Sequence, residues 1–88
     1  MENITTLRKK IDAIDENFVH LLKDRIELCK RIGKFKQEKG LAVKDLRRED
    51  EVYLHVMSKA LESRLDPQKV EAIFKQIVAM SVSVQGAE

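Results

Sequence analysis

Ile4, Leu7, Ile11, Ile14, Phe18, Leu21, Leu28, Ile32 and Phe35 recur at alternating spacings of three and four, with one missing beat at position 25. This is the spacing of a coiled-coil seam on a single helix. The one proline, Pro67, lies far beyond it. Thr5 or Thr6 is expected to cap its start, and Lys39-Gly40 supplies a basic last residue and a glycine stop. A helix over residues 5–39 would be roughly 50 Å long, whereas a compact chain of this length has a radius of gyration of about 12 Å. One copy cannot cover such a helix. The seam is therefore expected to pack against a second copy, giving a homodimer.

Two shorter helices complete an all-α reading. Asp45 is expected to cap the second, with Glu49, Asp50 and Glu51 near its positive end. Val52, Tyr53, Val56, Met57, Ala60 and Leu61 form its apolar stripe. Asp66 caps the third and Pro67 takes its first position. Val70, Ile73, Phe74, Ile77, Val78 and Val84 form its apolar face, and Gly86 marks a frayed tail. With no strand alternation, repeat or low-complexity segment, the 88 residues are expected to form one domain.

Composition excludes several classes. The lone Cys29 rules out an internal disulfide and is compatible with a reducing cytoplasm. Cys29, His20 and His55 lack metal-ligand spacing, so no metal site is expected. No run approaches the ~18 apolar residues of a membrane span, and no signal-peptide pattern is present. The net charge of +2 permits an anionic ligand, but the basic residues are dispersed among acids and offer nucleic acid no stripe or stacking platform.

The informative residues are polar ones where periodicity reserves a place for the core. Arg25 occupies the missing beat, and Lys36 returns to nearly the same face about 16 Å further along. Cys29 and Ile32 lie between them. Two cations over a small, uncharged floor can clamp a compact dianion; alternatively, both stems snorkel and leave their charges in water. Ser81 and Gln85 continue the apolar face of the third helix, either as a surface-exposed helix end or as hydrogen-bonding groups in a cavity. Arg8 stands about 25 Å before Arg25, so the two cannot grip one small ligand within one chain. An antiparallel partner helix could bring the other copy's Arg8 to Arg25.

Other charges read as structural. Glu27 is placed to pair with Lys23 and Arg31, while Lys9, Lys10, Lys30 and Lys34 are expected in solvent. Gly33 costs roughly 1 kcal/mol relative to alanine inside a helix, a cost that close helix approach would explain. The charged stretch KDLRREDE at 44–51 reads either as a solvated first turn or as part of a ligand site.

Taken in order, LRKKIDAID at 7–15, LLKDRIELCKRIGKFK at 21–36, VKDLRRE at 43–49 and SVSVQ at 81–85 resemble the all-helical class of chorismate mutases. The resemblance covers nearly the whole chain. It implies an intertwined homodimer with two equivalent sites, each taking one arginine from the partner's first helix. The family's site pattern falls on Arg8, Arg25, Lys36, Asp45, Arg48, Glu49, Ser81 and Gln85. The implied reaction is the Claisen rearrangement of chorismate to prephenate, without a cofactor. The resemblance implies that Arg8 from the partner and Arg25 hold the carboxylates. Lys36 and Gln85 donate to the ether oxygen, Lys36 also helps to bind a carboxylate, and Glu49 accepts from the ring hydroxyl. Asp45 and Arg48 shape that end of the pocket, and Ser81 binds a carboxylate. An isochorismate-pyruvate lyase of the same fold and a noncatalytic helical interaction module are the competing readings; Glu49 and the complete KDLRRE stretch favour the mutase.

Overall fold

The computed structural model describes residues 2–86. Its first helix, α1, spans Ile4–Lys39. The cap is Asn3, whose side-chain oxygen accepts the Thr6 N–H at 2.9 Å. This corrects the expected Thr5 or Thr6 cap: asparagine one residue before the first apolar position is as good an acceptor, so the helix takes in both threonines. At the other end Gly40 adopts φ 66°. The Gly40 and Leu41 N–H groups bond back to Gln37 O and Lys36 O at 3.2 and 2.8 Å. The glycine stop thus satisfies carbonyls that the helix end would orphan.

The second helix, α2, spans Leu46–Glu62, and Asp45 Oδ1 accepts the Arg48 N–H at 3.1 Å as its cap. It closes through Arg64 at φ 61°, with the Leu65 N–H reaching Ala60 O at 2.8 Å. The third helix, α3, spans Pro67–Gln85, with Asp66 Oδ1 accepting from the Gln68 and Lys69 N–H groups at 2.9 and 3.4 Å. Gly86 caps α3 rather than fraying from it, its N–H meeting Val82 O at 3.4 Å.

The α3 helix lies between the other two and packs on both, whereas α1 and α2 do not pack on each other. The buried set is small: Cys29 and Gly33 on α1, Ala60 on α2, Val78 and Ser81 on α3. The body measures 58 × 26 × 15 Å, with a radius of gyration of 16.3 Å. It exceeds the compact expectation because α1 runs past its supports, and every residue from 2 to 21 is exposed. The seam stays bare along its whole length, from Ile4 at 65% exposure through Phe18 at 66% to Phe35 at 60%.

Gly33 allows the close approach of α1 and α3. A Cβ there would lie 2.6 Å from Gln85 O and 2.7 Å from Gln85 Cα, inside backbone atoms that cannot rotate away. The surface pairs differ from the sequence expectation. Glu27 meets Lys30 at 3.3 Å rather than Lys23 or Arg31, and Lys10 meets Glu2 at 2.6 Å. Residues three apart are also neighbours on a helix, and such exposed pairs contribute only a few tenths of a kcal/mol. Among the described residues no cluster of metal-ligating side chains occurs, and no helix is long and apolar enough to cross a membrane.

Candidate active site

Positions 25, 29, 32 and 36 of α1 are spaced four, three and four apart, so they share one face. On α3, positions 78, 81, 82 and 85 do the same. The loop after Gly40 and the first turns of α2 add a third wall. Together they enclose a cavity of about 120 Å³. Seven of the eight candidate residues line it: Arg25, Lys36, Asp45, Arg48, Glu49, Ser81 and Gln85. Arg8 does not, in keeping with its distance along α1. Cys29 and Ile32 form the floor anticipated between the two cations.

The side chains are tied into one network. The Arg25 guanidinium donates to Ser81 Oγ in a very short contact and lies 3.9 Å from Cys29 Sγ. Ser81 passes its own hydrogen to Ile77 O at 2.8 Å. Its hydroxyl therefore presents lone pairs to the guanidinium and fixes it. Ser81 holds Arg25, a contact that sequence pattern did not indicate. Lys36 Nζ donates to Val43 O at 2.6 Å and to Gln85 Oε1 at 2.7 Å. An ammonium has three hydrogens, so one remains for a ligand. Committing the Gln85 carbonyl oxygen to Lys36 leaves the amide NH₂ as the end that can donate.

Glu49 is half-buried, and its Oε2 has no hydrogen-bond partner among the described residues. Tyr53, one turn further along α2, titrates above its usual 10.0, first through burial and then through the negative charges of Glu49, Glu71 and Asp50. The cavity wall carries three cations and two carboxylates, an excess of one positive charge. It can hold a small anion, with hydrogen-bond donors at one end and an acceptor at the other.

Sequence reasoning missed the Val43 carbonyl and Val82, and it gave Val52 to the apolar stripe of α2 without placing it in the cavity lining. A carbonyl carries no residue-type signal. Val82 sits four positions after Val78, and helical periodicity could have found it.

The chorismate mutase type II family model matches residues 7–86. The chain is 33% identical, over 97% of its length, to a bifunctional chorismate mutase/prephenate dehydratase of Aquifex aeolicus, of which it spans 24%. It is 27% identical, again over 97% of its length, to a chorismate mutase of Methanocaldococcus jannaschii, of which it spans 86%. Among solved structures, a conserved hypothetical protein from Pyrococcus furiosus superposes with a TM-score of 0.73 at 36% identity, covering 96% of this chain and 99% of that one. With the match running from the N-terminal part of α1 to just past Gln85, the last residue of the cavity wall, the chain belongs to the chorismate mutase type II family.

Proposed function

We propose that residues 1–88 form a single chorismate mutase domain that converts chorismate to prephenate. The observation that carries this reading is the joining of Arg25, Lys36, Glu49, Ser81 and Gln85 on one cavity within the family-matched region. The reaction breaks the ether C–O bond and forms a C–C bond between the enolpyruvyl carbon and the ring, so no covalent intermediate or cofactor is needed. The protein's task is to hold the diaxial, chair-like conformer and to stabilise negative charge growing on the ether oxygen. Arg25, already oriented by Ser81, grips one carboxylate through its planar fork. The remaining Lys36 hydrogen and the Gln85 NH₂ meet the ether oxygen. Glu49 accepts from the ring hydroxyl, and Asp45 and Arg48 bound that end.

The active unit in this reading is an intertwined homodimer. In proteins most helical stability comes from packing of the apolar face, and the exposed α1 seam requires a cover. Completing the burial of a half-exposed Leu, Ile or Phe contributes about 1 kcal/mol each. The partner's Arg8 then reaches this chain's cavity and raises its excess from one positive charge to two, the complement of a dianion.

Turnover of chorismate to prephenate by the purified protein tests the activity; isochorismate, with pyruvate as the product measured, tests the lyase. Absence of both conversions in an intact dimer refutes the enzyme reading. Arg8→Ala and Arg25→Ala homodimers are each expected to be severely impaired, and a mixed dimer to regain one intact site. Heterodimers without recovered activity refute the cross-chain role of Arg8.

A further inference from the structure

Glu49 Oε2 is buried and has no hydrogen-bond partner among the described residues. An unpaired buried carboxylate oxygen is costly, and a native structure ordinarily supplies it with a donor. Glu49 lines two cavities: the one described above, and a second of about 270 Å³ between α2 and α3, which also shares Val78 and Val82 with the first. The Glu49 carboxylate thus borders both cavities. The donors on the far side are Lys44, Tyr53 and Lys75. Lys75 is 59% exposed and lies 4.0 Å from Glu71, and Lys44 is exposed. Tyr53 is half-buried and follows Glu49 by four residues on α2, so the two share a face. Long helical side chains lean toward the N-terminal turn, which directs the Tyr53 ring toward the turn that carries Glu49.

We propose that Tyr53 is a positioning residue, donating its phenolic hydrogen to Glu49 Oε2 while the other carboxylate oxygen takes the substrate's ring hydroxyl. This rests on the assignment of Glu49 to that hydroxyl. Burial and the surrounding carboxylates keep the phenol protonated, and hence a donor, beyond its ordinary range. Tyr53 clamps Glu49 from behind, fixing the direction of its free lone pairs. A neutral donor does this without cancelling the charge that makes Glu49 a strong acceptor.

Tyr53 is the chain's one tyrosine, so its phenol C–O stretch can be read in an infrared difference spectrum without a label. Adding prephenate, which retains the ring hydroxyl, is expected to shift that band to the hydrogen-bond-donating position. An unshifted band in protein that turns over chorismate overturns the proposal while leaving the mutase reading intact. Tyr53→Phe is expected to lower kcat/KM about tenfold, mostly through KM, because a hydrogen bond to a charged group is lost from both ground and transition states. In a Glu49→Ala background the same change is expected to alter kcat/KM less than twofold. Equal losses in both backgrounds mean that Tyr53 acts through packing alone, and coupling of Lys75→Met to Glu49→Ala in its place assigns the donor to Lys75. Either result overturns the proposal.

Discussion

Replacing Gly33 by alanine tests how the α1–α3 contact builds the site. The added Cβ would lie 2.6 Å from Gln85 O, 2.7 Å from Gln85 Cα and 3.1 Å from Gln85 C. Carbon contacts are comfortable at roughly 3.5–4.0 Å, so the end of α3 must retreat by about 1 Å. Two effects then oppose each other in stability. Alanine gains about 1 kcal/mol over glycine inside a helix, and overpacking a tight contact costs about 1–3 kcal/mol. The net change is expected to be a destabilisation of about 0–2 kcal/mol, too small to unfold the protein. Activity responds more strongly. The atoms that must move belong to Gln85 itself, whose amide sits 2.7 Å from Lys36 Nζ. A misplacement of about 1 Å in a catalytic constellation can cost on the order of a hundredfold. Chorismate turnover is expected to fall by about ten- to a hundredfold in kcat, beside a urea midpoint close to that of the parent. Gly86→Ala is the control: its Cβ would meet nothing nearer than Val43 Cγ2 at 4.0 Å, and its activity is expected to be unchanged. Parental kcat in Gly33→Ala, with stability retained, would refute the claim that close helix approach positions Gln85.

Further outcomes follow from single contacts. Gln85→Glu replaces a permanent donor with a group that donates only when protonated, so activity is expected to be poor at neutral pH and to rise as pH falls through the introduced carboxyl's titration, which Lys36 beside it draws downward; a pH–rate profile checks this. Arg64 holds φ 61° without being glycine, and Arg64→Gly is expected to stabilise by up to about 1 kcal/mol, or a few degrees in Tm. Because Tyr53 titrates above 10.0 when folded, its contribution is fully present below that pH and is lost as pH rises through the folded value. Tyr53→Phe should therefore flatten the alkaline decline of stability in denaturation curves above about pH 10.

Much of this was legible in sequence because it depends on local rules. The seam's spacing fixed α1 to within a residue of its observed start, and Gly40, Asp45, Asp66 and Pro67 marked helix ends through chemistry that acts within one turn. Arg25 and Lys36 declared themselves by breaking an apolar stripe, and helical geometry alone put them on one face. The first cap was misplaced because asparagine and threonine compete for the same role within three residues, and only the adopted dihedrals separate them.

The tertiary structure decided what depends on distance between segments. That Gly33 is needed because Gln85 passes within a Cβ's reach is a fact about two residues 52 positions apart. That Ser81 holds Arg25, and that a backbone carbonyl of Val43 holds Lys36, follows from how α3 and the loop settle on α1. The unpartnered Glu49 oxygen is likewise visible only when burial is known. Periodicity assigns each side chain to a face, because that is set by rotation along one helix. Which groups meet across faces is set by how closely the helices pack, and a single missing Cβ controls that here.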